Sequence, residues 1–113
     1  MPPDKVLEQT LACLRKTRRR LLSSEWEDEI AGRTPEEKRS AAEALSKVQK
    51  ALLTLENTEL ASIRDQLREN ENDLTEGTNK LNEALANLQD VKKVIDTVNA
   101  LLQIAARLAP LFA

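Results

Sequence analysis

Aliphatic residues recur at intervals of three and four along most of the chain, which is the spacing of one face of an α-helix. The clearest run lies in the C-terminal third and consists of Leu81, Ala84, Leu88, Val91, Ile95, Val98, Leu102 and Ala105. A strict alternation of three and four is typical of a coiled-coil seam. Further apolar residues widen this seam, namely Leu85, Val94, Leu101, Ile104 and Leu108. We therefore expect this helix to contact more than one neighbour and to form the centre of a bundle.

Start and stop signals divide the apolar pattern into helices. Asp4 is a candidate N-cap for a helix over about 4–22, and Ser24 with Glu27 forms a capping box for a short helix over about 25–31 that stops at Gly32. The sequence Thr34-Pro35-Glu36-Glu37 combines an N-cap, a proline at the first helical position and a capping glutamate. It predicts a long helix over about 35–70.

The rest of the apolar pattern predicts where the C-terminal helices begin and end. The apolar stripe shifts by one position after Leu55, which we interpret as phase drift and not as a break. A last helix is predicted over about 78–109, where Pro110 ends it, and residues 111–113 follow as a short apolar tail.

A polar segment at 69–79 separates the two long predicted helices. It contains three Asn residues and Gly77, and such residues favour turns. The segment therefore predicts a reversal of the chain. The two arms are similar in length and would form an antiparallel hairpin, and the N-terminal helix would complete a three-helix bundle.

One observation favours a different arrangement, a single helix from 35 to 109. Aliphatic residues fall every seven positions straight through the polar segment, at Leu53, Leu60, Leu67, Leu74, Leu81, Leu88, Ile95 and Leu102. Such a rod would be roughly 110 Å long and would need other chains to bury its stripe, as in an oligomeric coiled coil. The hairpin is preferred because Asn70 and Gly77 would occupy core positions of the rod and weaken it.

Composition agrees with an all-α fold and argues against an enzyme. The chain has 113 residues, enough for one domain, and its 41% of hydrophobic residues include few aromatics. With two Gly and four Pro it has few turn residues for a β fold. It has no His, the usual general acid–base and metal ligand, and no Gly-rich phosphate loop. We expect no catalysis, no cofactor, no metal and no small-molecule substrate.

The single cysteine and the absence of targeting signals bear on location. Cys13 cannot form an intramolecular disulfide, and its aliphatic neighbours predict a buried thiol. The sequence has no apparent secretory signal and no uninterrupted apolar stretch of membrane-spanning length. The expected location is the cytoplasm, with export by a signal-independent route left open.

A cationic cluster interrupts an otherwise balanced charge pattern. The net charge is −2, yet five cations fall within six residues, at Arg15, Lys16, Arg18, Arg19 and Arg20. They could contact phosphate or a partner, or they could be a solvated helix end that pairs with nearby acids. Nucleic acid is disfavoured, because no aromatic side chains interleave with the cations to stack on bases. Trp26 is either a buried corner anchor or an exposed contact residue.

These patterns predict a non-enzymatic interaction or assembly module that binds itself or another helical protein. Its helix-packing or interface residues would be Leu53, Leu60, Leu67, Leu81, Leu88, Val91, Ile95, Val98 and Leu102. One alternative is a membrane-active protein, part of a pore or lysis system, that uses its apolar C-terminal helix. A lesser alternative is anion or nucleic-acid binding through the cationic cluster.

Overall fold

The computed structural model describes residues 1–110, and within them every regular element is an α-helix. The all-α class predicted from the sequence is confirmed. The described helices are α1 (Pro3–Leu21), α2 (Ser24–Ala31), α3 (Pro35–Glu56), α4 (Leu60–Glu69), α5 (Glu71–Leu85) and α6 (Val91–Ala105).

Side-chain caps set the starts of α2 and α3. The Ser23 hydroxyl accepts a hydrogen bond from the Trp26 amide at 3.2 Å, so the cap of α2 is one residue earlier than predicted. Thr34 caps α3 as predicted and accepts from the Glu37 amide at 3.2 Å. Asp4 does not cap α1; it lies inside the first turn, where its charge favours the helix dipole.

The predicted long helix over 35–70 is two helices, and the interpretation of the stripe shift as phase drift is wrong. The chain leaves helical geometry at 57–59, between α3 and α4. Asn57 and Thr58 donate side-chain hydrogen bonds to the carbonyls of Leu53 and Thr54, at 2.7 and 2.6 Å. These bonds add partners for carbonyls of the last turn of α3, where the regular helical hydrogen bonds end, and the Thr54 carbonyl also accepts from the Asn57 amide at 3.3 Å.

The predicted reversal at 69–79 is also wrong, because that segment is helical. α4 and α5 meet at Asn70, and Leu74, Gly77 and Thr78 are buried in α5. The chain reverses instead at 86–90, between α5 and α6. There the Asp90 carboxylate accepts from the Lys93 amide at 3.2 Å and caps α6. The single rod is excluded for the described residues by these interruptions.

The C-terminal boundary also differs from the prediction. α6 ends at Ala105 rather than at 109, although Leu108 beyond it remains buried. The apolar tail predicted at 111–113 lies outside the described residues.

Four helices pack as a ring in the order α1, α5, α6 and α3. α1 and α5 run in the same direction, because the Met1 amino group contacts Glu71 at 3.3 Å and Arg20 donates to the Leu85 carbonyl at 3.1 Å. α5 and α6 form an antiparallel hairpin. The remaining short helices lie outside the ring, with α2 against α1 and α3, and α4 against α1.

α6 supplies a large share of the core, as its wide apolar pattern predicts. Seven of its 15 residues are buried: Val91, Val94, Ile95, Val98, Leu101, Leu102 and Ala105. It contacts both α3 and α5. On the α5 side Gly77 allows a close approach, because a β-carbon there would lie 3.1 Å from Leu101 Cδ1.

Candidate functional site

Most residues of the predicted heptad seam lie in the chain's own core. The buried members are Leu67, Leu81, Leu88, Val91, Ile95, Val98 and Leu102, each at most 8% exposed. Leu60 is half-buried, and Leu53 is 66% exposed on α3. A second chain could not reach the buried members without opening the bundle.

An apolar groove lies where the end of α1, the short α2 and the first half of α3 meet. Its volume is about 350 Å³. Its lining residues are Leu21, Leu22, Trp26, Glu27, Ile30, Ala31, Lys38, Ala41, Ala42 and Leu45. We refer to this surface as the apolar groove. It is concave and mostly aliphatic, which is the chemistry that accepts apolar side chains.

The local sequence explains how the groove forms. Trp26 and Ile30 are four residues apart on α2, so both side chains point towards α1 and α3. Trp26 is 3% exposed and packs at the corner between α1 and α2. Leu21 and Leu22 are consecutive, so they cannot share one helix face; Leu21 is buried and Leu22 is 52% exposed.

The two sides of the groove carry opposite charge. Glu27 and Asp28 are exposed on α2, and Lys38 and Arg39 are exposed on α3. Among residues 1–110, none of these four side chains has an oppositely charged group within 4 Å. Of these four side chains only Glu27 and Lys38 line the apolar groove, so the groove has one acidic group on its α2 side and one basic group on its α3 side, both free to meet charges from another molecule.

The structure divides the cationic cluster of α1 into paired and unpaired members. Arg15 contacts Glu56 at 3.1 Å, and Arg20 contacts Glu25 at 3.6 Å. In the part of the chain that the structure describes, no carboxylate lies within 4 Å of Lys16, Arg18 or Arg19. The interpretation of the cluster as a helix end paired with acids therefore accounts for two of its five cations.

A polar cleft of about 500 Å³ lies between α1 and α5, on another face of the bundle. Its lining residues are Gln9, Ala12, Cys13, Lys16, Arg19, Thr78, Asn79 and Asn82. We refer to this surface as the polar cleft. Two of the unpaired cations, Lys16 and Arg19, line it, whereas Arg18 does not. The cleft brings together parts of the chain that the sequence pattern did not connect.

Cys13 forms part of the floor of the polar cleft and is 4% exposed, which confirms the predicted buried thiol. Its Sγ lies 3.8 Å from the Thr78 carbonyl oxygen and 3.9 Å from Asn82 Oδ1, in donor geometry. Burial raises the pKa of the thiol to about 11, against the lowering effects of a Thr17 hydrogen bond and the Lys16 charge. A thiol that stays protonated at neutral pH is a poor nucleophile.

Two other kinds of functional feature are not found in residues 1–110. They contain no group of three or more side chains placed to hold a metal ion. None of their helices is long and apolar enough to cross a bilayer. A comparison with models of protein families, with curated proteins and with solved structures finds no match for this chain. The apolar groove and the polar cleft are therefore the surfaces from which a function is inferred.

Proposed function

We propose that this protein is a non-enzymatic assembly module in which the apolar groove of one copy packs against the apolar groove of a second copy. The observation that carries the proposal is Leu22, a large aliphatic side chain that is 52% exposed at the edge of that groove. This proposal keeps the self-association expected from the sequence and moves its contact surface from the heptad seam to the groove.

Apolar burial provides the driving force. Fully burying an exposed leucine side chain stabilises a complex by roughly 1.5–3 kcal/mol, and Leu22, which is 52% exposed, would gain about half of that in each copy. In a twofold dimer the same residue is buried twice, because both copies present the same surface. Ile30 and Leu45 are half-buried in the groove and would lose their remaining exposure together with Leu22.

Charge complementarity supports a second copy as the partner. A twofold axis that runs along the groove would turn the α2 side of one copy towards the α3 side of the other. Glu27 would then face Lys38 twice in the dimer, and opposite charges across an interface favour the correct orientation. A surface with a single sign of charge would instead repel its own copy.

The burial of the heptad seam supports the groove over the seam as the contact surface. Leu88 and Val98 are 1% and 0% exposed, so a contact through them would first require loss of the chain's own core. The same burial gives less support to a membrane-active function. α6 packs its apolar residues against α3 and α5.

A charge-swap cycle tests the proposal by sedimentation equilibrium. Glu27→Lys and Lys38→Glu, each alone, place like charges across the interface and should weaken dimerisation by about tenfold. The double variant restores opposite charges and should recover most of the loss. Swapping Glu43 and Lys50 on the outer face of α3 is the matched control, since both are exposed and outside the groove.

Two results would contradict the proposal. One is a wild-type protein that remains monomeric across the concentration range. The other is a double variant that dimerises no better than the single variants, because the sides of the groove would then not face each other.

A further inference from the structure

The charged side chains that line the polar cleft are both cationic. Lys16 and Arg19 line the cleft, and none of its lining residues is acidic. The chain as a whole has more acidic than basic residues, 19 against 17. Elsewhere several cations are paired with a carboxylate; for example, Lys80 contacts Glu76 at 2.8 Å on the same helix, α5. The cleft is therefore a local concentration of positive charge.

Helix geometry places these groups on facing walls. Lys16 and Arg19 are three residues apart on α1, so their side chains project from the same face. Asn79 and Asn82 have the same spacing on α5. Because the two helices run in the same direction, each pair presents one wall of the cleft.

The carboxamide of Asn82 lies beside the Cys13 thiol. Its Oδ1 is 3.9 Å from Cys13 Sγ, and the Thr78 carbonyl oxygen at 3.8 Å is the other acceptor within reach of the single thiol proton. The Asn82 side chain is exposed, and its amino group makes no hydrogen bond with the described residues. Asn79 is exposed and adds a second carboxamide.

An ammonium, a guanidinium and two carboxamide groups form a set of hydrogen-bond donors with two positive charges. A phosphate group matches this set, since it carries close to two negative charges and several acceptor oxygens. We propose that the polar cleft binds a phosphate group. This site is separate from the apolar groove, so it does not depend on self-association.

Two simpler explanations of why Lys16 and Arg19 lie in the cleft leave part of the arrangement unexplained. The dipole of α1 favours the cations of its last turn, Arg18 to Arg20, but Lys16 lies before that turn. Binding of single-stranded nucleic acid would be expected to use aromatic side chains for stacking, and the cleft has none.

Titration with pyrophosphate at low ionic strength tests the proposal, with heat of binding and the side-chain amide resonances of Asn79 and Asn82 as readouts. The wild type should bind saturably and shift both resonances. The double variant Lys16→Gln/Arg19→Gln should bind at least about tenfold more weakly. The control is Lys50→Gln/Arg64→Gln, which removes one Lys and one Arg that are exposed and unpaired in residues 1–110; it should change affinity by less than about twofold.

Asn79→Asp gives an independent check without loss of a cation. A carboxylate inside the cleft should repel the probe and weaken binding, whereas Asn79→Gln should retain most of it. The proposal is overturned if pyrophosphate does not saturate the wild type, or if the two double variants lose affinity equally.

Vesicles distinguish the two sources of a phosphate group. If phosphatidylcholine vesicles containing phosphatidic acid sediment the protein and pyrophosphate displaces it, the ligand is a lipid headgroup. If pyrophosphate binds and the vesicles do not, the ligand is a free phosphorylated molecule. Sedimentation that is unaffected by pyrophosphate and equal in both double variants would contradict a site in the cleft.

Discussion

Gly77 in α5 lies directly against the Leu101 side chain of α6, with 3.1 Å between Leu101 Cδ1 and the position that a β-carbon on Gly77 would take. Ile104 Cδ1 lies 3.4 Å from the same position. The backbone of Gly77 has no positive φ angle, so the small residue serves packing and not backbone conformation. This contact brings the two arms of the hairpin close together.

Substitutions at Gly77 should separate helix propensity from packing. Gly77→Ala gains about 1 kcal/mol of propensity but requires Leu101 to move, so we expect a net change within about 1 kcal/mol. Gly77→Val adds more volume and should lower the free energy of unfolding by about 2–3 kcal/mol in urea titrations. The loss should shrink when Leu101 is replaced by Ala. A Gly77→Val protein as stable as the wild type would show that α5 and α6 are not in close contact.

The stability lost when a heptad leucine is replaced by alanine should depend on how deeply that leucine is buried. Leu88→Ala removes a side chain that is 1% exposed and should cost about 2–4 kcal/mol of stability. Leu53→Ala, at a residue that is 66% exposed, should cost less than about 0.5 kcal/mol. Urea unfolding of both variants tests the assignment of the seam to the core. Similar losses would mean that Leu53 is covered in solution.

The apolar spacing correctly predicted that the chain is helical, whereas the residues at which the helices end were harder to predict. Asn70 and Gly77 indicated a turn, but in the structure Gly77 is buried within α5 and serves the contact with Leu101. The true reversal at 86–90 has neither Gly nor Pro, and its main sequence signal is Asp90 as an N-cap. The spacing of five between Leu55 and Leu60 was the signal for the other break.

Surface features were less predictable, because they depend on which helices become neighbours. The sequence identified the cationic cluster, but not that Lys16 and Arg19 would face Asn79 and Asn82 across a cleft. Those residues are about sixty positions apart, and a single sequence gives no distance between them.

Removing the cap of α6 tests the position of the reversal. Asp90→Ala loses the hydrogen bond to the Lys93 amide and should lower the free energy of unfolding by about 1 kcal/mol. Asp90→Asn keeps a capping oxygen and should be close to the wild type in thermal and urea unfolding. Equal stability of the Ala variant would indicate that α6 does not begin here.

The buried thiol should make stability depend on alkaline pH. The pKa of Cys13 is about 11 in the folded protein and near 9.0 in an ordinary environment. Between these values unfolding releases the thiol proton, so the contribution of Cys13 is fully present below about pH 9 and is lost as the pH rises towards 11.

Comparison with Cys13→Ala isolates this contribution from other groups that titrate in the same range. The stability of the wild type relative to the variant should fall between about pH 9 and 11 in urea titrations. The thiol should also react slowly with an aromatic disulfide reagent until the protein is unfolded. A pH-independent difference, together with rapid thiol modification at neutral pH, would contradict the buried position.

Light scattering after size-exclusion chromatography tests most directly whether the apolar groove joins two copies. Leu22→Asp places a charge in the groove, and Leu53→Asp makes the same change at an exposed leucine outside it. We predict that the wild type and Leu53→Asp approach twice the 12.7 kDa monomer mass as concentration rises, while Leu22→Asp stays monomeric. A monomeric wild type at every concentration, or a dimer that Leu22→Asp leaves intact, would contradict a dimer joined at the apolar groove.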